Sequence, residues 1–254
     1  MQDDLFDVNG KVVFVTGGSR GLGKAMVTEF ARRGAKVVIA SRKLDECEKV
    51  AAAIKAEGGD ALALTCHVGN WDSLEAVIDQ AIAHYGKIDV LVNNAGMSPV
   101  APSLLDTSEL LFDKIIDVNL KGPTRLTALA ATKMAATGGG NIVNISSIAS
   151  LKPSPLTTVY SAAKAGLNAL TAASAQEFAA SNVRVNCIVC GTFDTDAAAG
   201  FVRNQDTLPF VVEPIALKRV GDPSEVVGAV LYFATAASSY TTGTCITIDG
   251  GVAP

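Results

Sequence analysis

The residues with the most chemistry to offer lie between positions 147 and 164, in SIASLKPSPLTTVYSAAK. Tyr160 and Lys164 are four apart, so on a helix they share one face. A phenol titrates near pH 10 and exchanges protons poorly at neutrality. A cation beside it favours the phenolate and lowers that value, which suits the pair to general acid–base work. Ser147 stands thirteen residues before the tyrosine, at the end of the apolar run NIVNIS. A hydroxyl at a strand end is placed to hydrogen-bond a substrate oxygen. The competing reading is an ordinary tyrosine–lysine pair on a helix surface.

The elements around these residues alternate. Residues 11–16 (KVVFVT) form an apolar, β-branched run of the buried-strand kind. A glycine turn follows at 17–23, then helical spacing over 24–33 that stops at Gly34, then a second strand at 36–40. The pattern continues with helices at 44–56 and 71–85, strands at 61–68 and 88–92, and a long helix at 108–134. Gly122-Pro123 should bend that helix. Strands at 141–145, 183–189 and 245–248 and helices at 159–180 and 223–235 complete the chain. Strands alternating with helices predict a parallel sheet. The expected fold is α/β, a Rossmann-type doubly wound parallel sheet of about seven strands with helices on both faces. No linker or low-complexity tract divides residues 1–254, so one domain is expected. The Ala-rich helices are suited to subunit contact or to simple core packing.

The glycine turn is the second chemical signal. Gly17, Gly21 and Gly23 leave a strand and open a helix, with Ser19, Arg20 and Leu22 between them. There the backbone can approach a pyrophosphate, and the helix N-terminus offers N–H groups and a positive dipole. The spacing is G-x-x-x-G-x-G rather than G-x-G-x-x-G, and a tight turn without a ligand is the alternative. An acid at the end of the second strand would select NAD through the ribose 2′-hydroxyl. Ser41 and Arg42 stand there instead, and Arg20 adds a second guanidinium. Two arginines and no carboxylate favour NADP over NAD.

Composition excludes other classes. The 254 residues are 49% hydrophobic, enough for a large core, with 21 basic and 25 acidic side chains and a net charge of −4. That balance recommends neither nucleic acid nor an anionic membrane as partner. Five scattered cysteines and two histidines show no metal-ligand spacing, and the cysteines read as free thiols in a reducing compartment. The acidic start MQDDLFD lacks the basic segment of a signal peptide. No apolar run reaches the ~18 residues of a membrane span. A soluble, cytoplasmic protein without a metal is expected.

Taken together, these motifs resemble the classical short-chain dehydrogenase/reductase family across nearly the whole chain. The matching pieces are Thr16-Gly17-x-x-x-Gly21-x-Gly23, Asn93-Asn94-Ala95-Gly96, Asn119 in DVNLKG, Ser147 in NISS, and Tyr160-x-x-x-Lys164, in family order and spacing. The resemblance is nearest to NADP-preferring carbonyl and 3-oxoacyl reductases. It implies that Tyr160 is the general acid, that Lys164 lowers its pKa and holds the nicotinamide ribose, and that Ser147 polarises the carbonyl. Asn119 would hold a water in a proton relay behind the lysine. The family's thirteen-residue separation selects Ser147 over Ser146. Asn93, Ala95 and Gly96 would line the adenosine side. His67 and Val68 replace the family's Asp-Val beside adenine. Cys190-Gly191 replaces Pro-Gly beside the nicotinamide, so that Gly191, Phe193 and Thr195 would meet the carboxamide region. Cys190 is either a reactive thiol near the cofactor or a buried inert one.

The family places a substrate lid at about 192–218. Here it carries Phe201, Val202, Leu208, Phe210, Val211 and Val212, opposite the loop at 97–102. An apolar lid predicts a small apolar carbonyl or alcohol substrate. The leading reading is an NADP(H)-dependent oxidoreductase reducing an apolar ketone, aldehyde or 3-oxoacyl substrate, or oxidising the matching secondary alcohol. The alternatives are a non-catalytic NADP(H)-binding regulatory or scaffold protein and an enoyl thioester reductase. The resemblance also implies a homo-oligomer, commonly a tetramer, built on the two long helices and residues 246–254.

Overall fold

The computed structural model describes residues 4–252 of the 254. Among them seven strands form one parallel sheet. They are β1 (Val12–Thr16), β2 (Lys36–Ser41), β3 (Asp60–Thr65), β4 (Val90–Asn93), β5 (Gly140–Ser147), β6 (Val183–Cys190) and β7 (Cys245–Ile248). Their spatial order is β3-β2-β1-β4-β5-β6-β7. The chain builds outward from β1 in one direction, then returns to β4 and builds in the other. The strand order therefore reverses at β1/β4, and such a switch point opens a crevice at the C-terminal strand ends.

Alternation along the central strands makes the two cores. In β1, Val13 and Val15 point into one apolar cluster with Met26, Phe30 and Phe233. Val12 and Phe14 point into the other, with Leu74, Ile78 and Leu126. All five β1 residues are buried, each large apolar side chain contributing roughly 1.5–3 kcal/mol. The first face is covered by α1 (Gly21–Arg32), α2 (Leu44–Ala56) and α9 (Val227–Ala234). The second carries α3 (Leu74–Tyr85), α5 (Gly122–Ala135) and α6 (Thr158–Phe178). No helix among the described residues is long and apolar enough to cross a membrane.

Several boundaries differ from the sequence reading. Helix α1 starts at Gly21, inside the glycine turn, rather than at 24. Strand β3 ends at Thr65 rather than 68, although the Cys66 N–H still bonds Ser41 O at 2.8 Å. The long helix is interrupted before Gly122-Pro123: α4 (Glu109–Ile116) passes through a π turn at Asp117–Lys121 into α5. Pro123 has no N–H, and its ring crowds the carbonyl four residues back, at Asn119. The distortion therefore falls on the turn before the proline. Two short helices, α7 (Ala199–Val202) and α8 (Leu208–Val212), occupy the segment after β6.

Candidate active site

The C-terminal ends of β1 and β4 are stitched together. Thr16 Oγ1 donates to Val92 O at 3.3 Å and accepts the Asn94 and Ala95 N–H groups, each at 3.0 Å. Asn94 Nδ2 donates to Thr16 O at 2.8 Å and Gly17 O at 3.2 Å. Gly17 sits at φ 66°, a left-handed conformation glycine adopts without penalty. A Cβ on Gly23 would collide with Gly17 O. The helix–strand approach therefore excludes any side chain there. Arg20 is the extended N-cap of α1, and no side chain caps the helix. The first-turn N–H groups and the positive end of the helix are open to an anion. Gly17, Ser19, Gly21, Leu22 and Gly23 form this cradle, and Thr195 lies against Gly21.

Thr16 and Asn94 were missed as site residues, and Asn93 is misplaced in the sequence reading. Asn93 is the last residue of β4, and its side chain points into the sheet interior. Its Nδ2 donates to Thr127 Oγ1 at 3.1 Å and Asn144 Oδ1 at 2.9 Å. It braces the central strands and presents no amide to the adenosine side. The Asn-Asn doublet is visible in sequence, but strand alternation decides which amide serves the turn.

The β2 and β3 ends come together through the Ser41↔Thr65 register. Ser19 Oγ donates to Ser41 Oγ at 3.1 Å, and Ser41 Oγ lies 3.0 Å from Cys47 Sγ. Arg20 and Arg42 are exposed, and neither has a hydrogen-bond or ion-pair partner among the described residues. His67 is exposed just beyond β3. The Val68 side chain belongs to the core, which leaves its backbone for a ligand.

The catalytic candidates converge at the end of β5. Ser146 is buried, and its hydroxyl donates to Lys164 O at 3.3 Å. Ser147 points the other way, and its hydroxyl lies beside the Tyr160 phenol. Its Oγ also accepts the Ala149 N–H at 3.2 Å, and its carbonyl accepts Ser150 Oγ at 2.7 Å. Lys164 is buried on α6, with Nζ donating to Ile145 O at 2.8 Å and lying 5.8 Å from the Tyr160 ring centroid.

The Tyr160 titration runs opposite to the direction expected from a nearby cation. Burial pushes the phenol up, and the Ser147 hydroxyl partly offsets that by stabilising the phenolate. Lys164 is itself lowered to about 8 by burial. Desolvation dominates at Lys164, which is buried, and outweighs the serine at Tyr160, which is partly buried. Asn119 is buried in the π turn. Its Nδ2 donates to Met97 O and Ile115 O, both at 2.9 Å, and its Oδ1 accepts the Met97 N–H at 3.2 Å. Both Nδ2 hydrogens are used, while Oδ1 keeps one acceptor position, so that oxygen and the backbone remain for a water behind the lysine.

Beyond β6, Gly191 follows Cys190 beside Asp249. Phe193 is 6% exposed, with its ring in the core against Gly221. Contact with a nicotinamide through that ring is ruled out, and only its backbone can serve. Burial pushes the Cys190 thiol up to about 12, which leaves it protonated and inert at neutral pH. In the lid, Val202 and Ile215 are buried anchors, while Phe201 and Phe210 are exposed. A cavity of about 670 Å³ lies between α1, the lid base and α9, lined in part by Lys24, Asp194 and Arg203. It borders Gly21 but not Ser147 or Tyr160.

Residues 17–253 match the family model described as Enoyl-(Acyl carrier protein) reductase. Dehydrogenase/reductase SDR family member 4 of Bos taurus is 36% identical over 96% of this chain and 88% of its own length. The chain belongs to the short-chain dehydrogenase/reductase family. Tropinone reductase-like 3 of Erythroxylum coca is also 36% identical, over 95% of this chain and 93% of that protein. A short-chain type dehydrogenase/reductase from Mycobacterium marinum superposes with TM-score 0.93 at 36% identity, covering 98% of both chains. A gluconate 5-dehydrogenase from Burkholderia cenocepacia J2315, solved with NADP and tartrate, gives 0.94 at 29% identity over 98% of this chain and 97% of that one. As a short-chain dehydrogenase/reductase the protein is an oxidoreductase acting on CH–OH and C=O groups with a nicotinamide cofactor. The residues fit such a cofactor: the uncapped α1 N-terminus and the Gly17/Gly23 cradle suit a pyrophosphate.

Proposed function

We propose that the protein is an NADP(H)-dependent reductase of apolar ketones, aldehydes or 3-oxoacyl compounds, able to oxidise the matching secondary alcohols. The observation that carries the reaction is the Ser147 hydroxyl beside the Tyr160 phenol, with buried Lys164 on the same helix as the tyrosine, at the sheet's C-terminal edge. NADP is supported by the unpaired guanidiniums of Arg20 and Arg42 where a carboxylate would select NAD. The gluconate 5-dehydrogenase relative was itself solved with NADP. Exposed Phe201 and Phe210 in the segment after β6 support an apolar substrate.

When bound, the nicotinamide supplies the hydride. The chain's residues supply orientation and the proton. Ser147 Oγ donates a hydrogen bond to the substrate carbonyl oxygen and polarises it. Tyr160 Oη donates its proton to that oxygen as negative charge develops. The raised phenol value keeps Tyr160 protonated at neutral pH, the form a reduction requires. Lys164 Nζ, lowered to about 8, holds a proton at neutrality and releases it readily above. Asn119 fixes the loop at Met97 from below.

The test is titration with NADPH and NADH by nicotinamide fluorescence, followed by a panel of apolar ketones and 3-oxoacyl thioesters read by absorbance. Tyr160→Phe should lower turnover ~10²–10⁴-fold and leave NADPH affinity unchanged. Tight NADPH binding with no turnover across the panel would favour a regulatory protein instead. The family model's description supports a second reading, an enoyl thioester reductase, which oxidation of NADPH by a 2-enoyl thioester but not a 3-oxoacyl one would establish.

The proposal includes a homotetramer. Helix α6 exposes a stripe of Ala162, Ala165, Ala169 and Ala172 suited to close helix packing. Of the C-terminal contact segment, residues 253–254 lie outside the described residues. A cytoplasmic setting is included on the five free thiols. Sedimentation equilibrium and cell fractionation test these two points.

A further inference from the structure

Cys187 and Cys245 are register partners on the adjacent parallel strands β6 and β7. Neighbouring strands lie ~4.8 Å apart, within the ~4.4–6.8 Å Cα separation a disulfide spans. Register partners in a parallel pair project to the same side of the sheet. β7 is the edge strand of the sheet. Cys245 is exposed and Cys187 buried, so one sulfur is open to a small oxidant and the other is shielded behind it.

The pair also connects to the catalytic serine. Cys187 Sγ donates to Asn168 Oδ1 at 3.5 Å, and Asn168 Nδ2 donates to Ser150 Oγ at 2.9 Å. Ser150 Oγ in turn donates to Ser147 O at 2.7 Å. The thiol proton of Cys187 is the first donor of this run.

We propose that Cys187 and Cys245 are an oxidation site for hydrogen peroxide or a small hydroperoxide, and that their disulfide lowers turnover by releasing Asn168 and Ser150 from Ser147. The Cys245 thiolate attacks one peroxide oxygen. The O–O bond breaks, Cys245 becomes a sulfenic acid, and the other oxygen leaves as water after taking a proton. The Cys187 sulfur then attacks the sulfenic sulfur. The S–S bond forms, the S–O bond breaks, and a second water leaves with the Cys187 proton. Two sulfurs are oxidised and one peroxide is reduced to two waters. Cys187 then has no proton to give Asn168, and Ser150 and Asn168 act as positioning residues that have lost their anchor.

The turnover arm rests on the catalytic role proposed for Ser147, and the pairing arm does not. The full-length protein is treated with hydrogen peroxide, free thiols are trapped with iodoacetamide, and the non-reduced digest is analysed by mass spectrometry. The expected result is one peptide pair joined through Cys187 and Cys245. It should be absent in Cys245→Ser and Cys187→Ala and reversed by a dithiol reductant. The oxidised wild type should show kcat lower by about tenfold, the scale of a lost positioning hydrogen bond, with NADPH KM unchanged. Cys245→Ser should keep its kcat through the same treatment. A sulfinic Cys245 with no cross-link, a Cys245 disulfide joining two chains, or an oxidised enzyme with unchanged kcat would overturn the proposal. Failure of the reductase reading shows separately, as inactivity of the untreated enzyme.

Discussion

Lys164→Met should abolish turnover and, at neutral pH, make the protein more stable. Lys164 is buried with its ammonium bonded to Ile145 O. Burial lowers it from 10.5 to about 8, which at about 1.4 kcal/mol per tenfold is roughly 3 kcal/mol against carrying the charge in the folded state. Methionine fills similar volume without charge. Losing the bond to Ile145 O costs about 1 kcal/mol, so the variant should gain roughly 1–2 kcal/mol at pH 7. The sign with pH follows from linkage. Between about 8 and 10.5 the unfolded chain keeps the lysine proton and the folded chain does not. Wild-type stability therefore rises through that window relative to the variant. Urea unfolding of both proteins at pH 7 and pH 9, without added nucleotide, measures the difference directly, since the other titrating groups are common to both. The variant's advantage should shrink by about 1 kcal/mol between the two. A variant less stable at pH 7, or a difference that does not change with pH, would refute the argument that desolvation dominates at this lysine.

Arg42→Asp should raise the NADPH KM about ten- to a hundredfold, the worth of a charge-assisted bond plus repulsion, with less effect on NADH in steady-state kinetics. Asn94→Ala removes both donors to Thr16 O and Gly17 O and should cost about 1–3 kcal/mol in urea unfolding. It should also weaken nucleotide binding through the loosened turn. Iodoacetamide at pH 8, followed by peptide mapping, should label Cys245 first and leave Cys190 unmodified, because burial holds Cys190 at about 12.

The alternation of apolar strands and amphipathic helices was enough to predict a seven-stranded parallel sheet, because each period reports which face must be buried. The glycine turn, Ser147 and the Tyr160–Lys164 pair were also legible, since local spacing places them on one strand end and one helix face. Tertiary structure decided the rest. Asn93 and Asn94 are adjacent and chemically identical, yet the first braces β5 and the second holds the glycine turn, because side chains alternate across a strand that is buried on both faces. Phe193 sits in a segment the motif assigns to the cofactor, but its ring fills the space over Gly221, a contact twenty-eight residues away. The direction of the Tyr160 shift depends on how much water the packed β5–α6 layer excludes, which no spacing of residues records. Cys187 and Cys245 are fifty-eight positions apart and became partners only when β7 docked in register on β6. Local pattern determined which residues carry the chemistry, and long-range burial determined which of their atoms face it.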